Sequence, residues 1–382
     1  MSFILQVDTD RWRTHVQSTA ATVESVTGSP VVPVIKGNGY GLGQVRLART
    51  AEALPGTVVA VGTVFELEEV LTSCLADVVV LEPFDPRDQA ASDTWWNIAK
   101  RWDSNRIIRT ISSMAGLESL LSGSGSVRVI LEGQTSMHRF GFSESELLRV
   151  LADDTVIAAI NSGRLIVLGL ALHLPMEQPS NEPGNFSTAR VREVLRWNGV
   201  WQASLTSAQL AVESTLWLSH LDDVEFTAVR EFIGDTAIRA RIGTRLWLGD
   251  RGALSPQGTV LAVHPLSDGV HVGYRQRSGP NGGTLLVVSG GTAHGIGLSA
   301  PTPASSMRQR VVTAGTGALD AAGRALSPFI WEGKQRWFAE PPHQHHSMIW
   351  LPRGVVVPRV GDRLTADVRF TTSRFDAVLG LD

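Results

Sequence analysis

Eight short apolar runs, rich in β-branched residues, recur through the first two-thirds of the 382-residue chain and are separated by stretches with helical spacing. They are VVPVI (31–35), TVVAVG (57–62), DVVVL (77–81), RIIRTI (106–111), VRVIL (127–131), LIVLGLAL (165–172), TLWL (215–218) and AIRARI (237–242). Runs this short and this apolar suit parallel strands that are covered on both faces. The segments between them, such as QVRLARTAEAL, VFELEEVLTSCL and SESELLRVLADD, place apolar residues at helical intervals, with acids toward several of their starts. Eight such units predict an α/β fold, a TIM-like (β/α)8 barrel over residues 1–250.

After about residue 250 the texture changes to Gly, Pro, Val and Thr with period-two alternation, in GTVLAVHPL, GVHVGYRQR, GTLLVVSGG and DRLTADVRFTT. Residues 251–382 are therefore expected to form a C-terminal antiparallel β domain, and the first ~10 residues of the chain are candidates to join it. The PTPASS stretch near residue 302 reads as a flexible excursion of that domain.

Charge narrows the function. With 34 basic against 37 acidic residues, nothing draws the chain to nucleic acid or to an anionic membrane surface, so a small-molecule substrate is expected. The start, MSFILQVDTDRWRTHV, turns charged within ten residues, and no later apolar run reaches the ~18 residues of a membrane span. A soluble, cytoplasmic protein is the expectation. The single cysteine, Cys74, excludes an intramolecular disulfide and a multi-cysteine metal site, and reads as a small buried residue.

In a barrel of this kind the chemistry gathers at the C-terminal ends of the strands. The runs lead into Lys36, Glu82, Glu132, His173 and Ser219, and the last carries Arg241 with Gly243 beyond it. A lysine at such an end sits where its ammonium is costly to desolvate, which a Schiff-base lysine requires. Position alone leaves open a lysine that only marks the strand end.

The segment IKGNGYGLG resembles the KANAYGHG signature of the alanine racemase family, with Gly37 and Gly39 replacing its alanines and Leu42 its histidine. The resemblance implies that Lys36 carries pyridoxal 5'-phosphate (PLP) as a Schiff base and that Tyr40 hydrogen-bonds its phosphate. TSMHRFGF is similar to the family's DTGMxRxGF segment, which gives Arg139 the PLP ring oxygen and the substrate carboxylate; Met137 and Phe140 are expected to pack. Glu132 stands where many members place a lysine whose carbamate orients that arginine, and brings the negative charge directly. GLALHLPM resembles a segment ending in Thr-His-Phe, which makes His173 a partner to the arginine under the cofactor ring. RIGTRLWLG resembles RPGxxLYG, placing Arg241 opposite the pyridine nitrogen and the amides of Gly243 and Thr244 at the phosphate. Ser219 is a candidate side-chain contact to the phosphate, although a strand-end serine is by itself a cap or turn residue. Arg239 and Arg245 are expected to be solvated or structural.

VHVGYRQR resembles the family's VGYG segment, whose tyrosine is the second catalytic base, supplied across a dimer interface. That residue is Tyr274, and Tyr40 and Tyr274 are the only tyrosines in the chain. The resemblance thus implies a PLP-dependent amino-acid racemase working as a head-to-tail homodimer, with Lys36 and Tyr274 of the partner subunit on opposite faces of the substrate. An arginine cannot readily pass a proton to the pyridine nitrogen, and this argues for racemisation over decarboxylation.

Three departures bear on the substrate. SGGTAHG puts Gly291 where the family has an entrance tyrosine; HQHHSM replaces its Met-Asp pair, bringing Gln344 and His345 near the substrate carboxylate; and a further phosphate-side tyrosine is absent. A wider, differently charged pocket follows, for alanine or another small or medium amino acid. His343, His345 and His346 invite a metal, and alternation puts His343 and His345 on one strand face, but no metal is expected. The alternatives are another PLP activity on the same fold, a decarboxylase or aldolase, and a non-catalytic PLP-binding protein.

Overall fold

The computed structural model describes residues 2–123, 125–176, 188–274, 276–278, 282–298 and 325–381; the excursion expected near residue 302 lies outside them. The chain forms two compact units, one of Thr14–Gly39 and Gly43–Gly249, the other of Met1–Arg13, Tyr40–Leu42 and Asp250–Asp382.

Strand β1 (Phe3–Val7) belongs to the second unit. The first contains β2 (Val32–Pro33), β3 (Val58–Val61), β4 (Asp77–Val80), β5 (Ile107–Ile111), β6 (Val127–Gly133), β7 (Leu165–His173), β8 (Thr215–Ser219) and β9 (Ala237–Ile242). All eight apolar runs become these strands, to within two residues at either end. Their order, β2-β9-β8-β7-β6-β5-β4-β3, is entirely parallel, and a bridge between Val34 and Ala60 joins β2 to β3 and closes the barrel.

Between the strands run α1 (Thr9–Thr27), α2 (Gln44–Glu52), α3 (Leu67–Ser73), α4 (Gln89–Arg101), α5 (Met114–Leu121), α6 (Glu144–Leu151), α7 (Asp154–Asn161), α8 (Ala189–Ser207), α9 (Asp223–Phe232) and α10 (Thr244–Leu248). Two acids near helix starts complete capping boxes: Glu146 with Ser143 on α6, and Glu225 with Asp222 on α9, exchange bonds across the first turn. Among the described residues, no helix is long and apolar enough to cross a membrane.

The barrel is a packed interior, not a pore. Val32, Val34, Ala60, Val79, Ile108, Ile130, Ala171 and Trp217 form one buried cluster, each side chain stabilising the fold by about 1.5–3 kcal/mol where it is large. The polar edge of Trp217 is satisfied because its Nε1 donates to the Leu168 carbonyl at 2.8 Å. At the N-terminal end, Arg128 on β6 meets Asp77 on β4 at 2.7 Å.

In the second unit the strands are β1, β10 (Leu254–Leu266), β11 (His271–Val272), β12 (Arg277–Ser278), β13 (Gly283–Ser289), β14 (Leu326–Trp331), β15 (Lys334–Phe338), β16 (His346–Leu351), β17 (Arg363–Ala366) and β18 (Ala377–Leu379). The main sheet runs β13-β16-β15-β14-β17-β10-β1-β18, with a further β10–β13 pairing. All its pairs are antiparallel except β1 with β18. Its core is built on Phe3, Val260, Leu286, Phe329, Ile349 and Leu364.

Candidate active site

Strand alternation decides what lines the C-terminal end of the barrel. Ile130 points inward on β6, so Glu132, two residues on, points the same way one layer higher; Ala171 and His173 on β7, and Trp217 and Ser219 on β8, repeat the pattern. Arg239 is in register with Trp217, which gives Arg241 the corresponding position on β9. Lys36 continues the parity of Val32 and Val34. The layer below is apolar and this one is polar, so five sequence-predicted residues converge by geometry alone.

The turn after β2 holds Lys36 in place. Gly37, Gly39, Tyr40 and Gly41 all have positive φ, at 62°, 60°, 54° and 80°, and Gly39 N–H closes the turn on the Lys36 carbonyl at 3.1 Å. Glu66, in the helical turn Val64–Glu66 after β3, accepts from the backbone N–H of Gly37 at 3.0 Å and of Gly62 at 2.7 Å. Its carboxylate fastens the lysine turn to the neighbouring strand end. Glu66 has no signature in the sequence, because its partners are backbone amides.

Lys36 keeps an open face at the barrel mouth, yet the protein around its amine lowers the pKa, first by desolvation and then through Arg139 and Arg241, against Glu66. His173 is pushed down to about 2 by desolvation, then by Arg241, Arg139, His220 and Lys36, so its imidazole is neutral. Its Nδ1 lies 3.2 Å from the Ser219 hydroxyl. Arg241 is lowered to about 10 by burial, with Glu132 opposing, and remains a cation at neutral pH. Burial raises the Glu132 carboxyl, against the pull of Arg241 and Arg139. Arg241 donates one nitrogen to the Leu172 carbonyl at 2.9 Å, but its Nε and Glu132 Oε2 are buried without a hydrogen-bond partner.

Arg139 sits on the loop that leaves and rejoins β6. Phe142 N–H donates to the Glu132 carbonyl at 2.8 Å and Gln134 N–H to the Phe142 carbonyl at 2.8 Å, so the loop closes on itself. Closure depends on Gly141, with φ 116°, where a Cβ would fall 2.4 Å from the Gln134 nitrogen. The Arg139 guanidinium lies over the Phe140 ring, 5.2 Å from its centroid. The charge of Arg139 acts through space on Glu132, opposing the rise that burial causes. Met137 and Phe140 do not pack as expected: both are about two-fifths exposed, because the closed loop turns them outward. His220, also unforeseen, has φ 64° just past β8, and its ring meets that of His173 at 4.9 Å. Gly243 and Thr244 begin α10, and Glu82 is exposed. Arg245 pairs with Asp223 through two bonds of 2.6 Å.

The remaining predicted residues belong to the second unit. Tyr40 is 4% exposed, whereas Tyr274 is 86% exposed, on the turn after β11. Gln344 and His345 are exposed on the approach to β16. Their carbonyls receive Ala293 N–H and Gly290 N–H. No side chain fits at Gly291, where a Cβ would fall 2.1 Å from the His343 carbonyl oxygen. Among the described residues, no three His, Cys, Asp or Glu side chains are arranged to hold a metal ion.

A family model described as alanine racemase, N-terminal domain, matches residues 7–230. The alanine racemase of Nitratidesulfovibrio vulgaris strain DP4 is 26% identical over 279 residues, spanning 71% of this chain and 70% of that protein. Among solved structures, an alanine racemase from Bartonella henselae with covalently bound pyridoxal phosphate aligns with a TM-score of 0.65 at 15% identity, over 96% of this chain and 91% of that one. One from a D-cycloserine-producing Streptomyces lavendulae gives 0.63 at 18% identity, over 96% and 87%.

Proposed function

The chain belongs to the alanine racemase family through its N-terminal domain, and on that premise we propose that it is a PLP-dependent racemase of a small or medium amino acid. The observation that carries the reading is the lysine at the barrel mouth whose amine is pushed toward neutrality between Arg139 and Arg241. The residues present fit the cofactor. Lys36, Arg139 and Arg241 outnumber the carboxylates of Glu66 and Glu132, and the unpartnered Arg241 Nε adds a donor that an anionic, hydrogen-bonding group satisfies. Lys36 would hold PLP covalently; Tyr40, Ser219, Gly243 and Thr244 would hold its phosphate.

Bound there, PLP supplies an electron sink that eases removal of a Cα proton. Lys36, whose ammonium is disfavoured by desolvation, accepts or returns that proton on one face. Tyr274 of the partner subunit does so on the other, which requires a head-to-tail homodimer. Arg241, still charged at pH 7, accepts no proton and offers none. This limits charge delocalisation and favours return of the proton to the same carbon. Neutral His173 packs beside Arg241 without adding to its charge. Arg139 pairs with the substrate carboxylate, and Gln344 and His345 shape the side-chain preference.

The test is incubation with PLP and a panel of L- and D-amino acids in deuterium oxide. Deuterium at Cα together with the opposite enantiomer is the expected result; release of carbon dioxide or an aldehyde points to a decarboxylase or aldolase. A protein that takes up no PLP overturns the reading. Lys36→Ala is expected to abolish the visible absorbance of protein-bound PLP, measured by spectrophotometry after dialysis.

A further inference from the structure

Outside the barrel, one buried carboxylate holds both the turn that bears Tyr274 and a histidine on the approach to β16. Glu340 is 3% exposed; its Oε2 accepts the Tyr274 backbone N–H at 2.8 Å, and its Oε1 lies 2.5 Å from His343 Nε2. His343 Nδ1 is 2.9 Å from His346 Nε2. The Tyr274 ring rests against the His343 ring, with centroids 4.8 Å apart and planes at 42°. Gly273 has φ 74°, and a Cβ there would fall 2.3 Å from the Glu340 carboxylate, so the missing side chain is the space that the carboxylate fills.

A carboxylate only accepts, so His343 carries a hydrogen on Nε2 toward Glu340, and its Nδ1 shares a second bond with His346 Nε2. Glu340 thereby fixes the Tyr274 backbone and the orientation of the ring beneath its phenol. The phenol is otherwise open, since Tyr274 is 86% exposed. A proton-transfer group displaced by ~1 Å can lose on the order of a hundredfold in rate.

We propose that Glu340 and His343 are positioning residues for Tyr274, the carboxylate pinning the turn and the imidazole giving the phenol a fixed face to rest on. The catalytic consequence rests on reading Tyr274 as a base. The pair leaves no periodic signal in the sequence, because Glu340 is separated from His343 by two prolines and acts on a turn 66 residues away.

The test uses PLP-loaded Glu340→Gln and His343→Asn, the second leaving the Glu340 bond to Tyr274 N–H in place. Hydrogen exchange read by mass spectrometry is expected to quicken about tenfold for the Tyr274 amide in Glu340→Gln, the effect of losing a charged acceptor. Ring-labelled tyrosine resonances, only two in this chain, are expected to move for Tyr274 and not for Tyr40 in His343→Asn. With Cα-deuterated L- and D-alanine as probes, the primary isotope effect is expected to rise for one enantiomer only. Unchanged exchange and resonances in both variants overturn the proposal, as does an equal rise for both enantiomers. Tyr274→Phe separates the two claims. Equal isotope effects in that variant sink the base assignment, while exchange and resonances still decide whether Glu340 and His343 hold the turn.

Discussion

Two residues at the barrel mouth tie charge to stability. Removing Glu66 leaves the amides of Gly37 and Gly62 without their acceptor. Glu66→Ala is expected to cost about 1–2 kcal/mol in urea unfolding, while Glu66→Gln, which keeps one acceptor, costs less. The Glu66 charge also raises the Lys36 pKa, so both variants are expected to hold the lysine neutral to lower pH. His173 acts through protons. Its pKa in the fold is down to about 2 against an ordinary 6.5, so between those values the unfolded chain binds the extra proton. Its contribution to stability is therefore present above pH 6.5 and is lost as the pH falls. The melting temperature of the cofactor-free protein is expected to drop from pH 7 to pH 5, and His173→Gln to flatten that drop; identical pH profiles would remove His173 from the account. His220, lowered by the same desolvation, adds to the trend with the same sign.

At the scale of elements, alternation explains both what the sequence revealed and what it hid. The eight strands were legible because β-branched runs covered on both faces have few other uses, and Lys36, Glu132, His173, Ser219 and Arg241 were legible because each stands at or near a run's end. Glu66, His220 and Glu340 were not, since they act through backbone amides, a left-handed turn and a non-local loop, none of which has a period. The rule also turns one arginine the other way. On β5 Ile108 faces the interior, so Arg109 faces the helices, where it is 7% exposed and lies 4.5 Å over the Trp95 ring of α4. Burial lowers its pKa to about 10 and its Nε has no hydrogen-bond partner, so the charge is costly where it stands. Arg109→Met is expected to match or exceed the parent in thermal stability, by up to about 1 kcal/mol. A large loss would show the cation–ring contact to be worth more than the desolvation.

For the whole molecule, the proposed second base from a partner subunit would make activity a property of pairs. Lys36→Ala and Tyr274→Phe subunits, each inactive in at least one direction alone, are expected to regain about a quarter of parental turnover when unfolded together and refolded. Half of the dimers are then mixed, and each mixed dimer has one intact site. No recovery would place both bases on a single chain. A different demand on the chain comes from β1, which pairs with β10 and β18, while Phe3 and Asp376 exchange backbone and side-chain bonds across 373 residues. During synthesis the segment FILQV leaves the ribosome well before its partners β10 and β18. The barrel strands can pair with near neighbours while that apolar edge waits, open to strands of other chains, until β10 and β18 have been made.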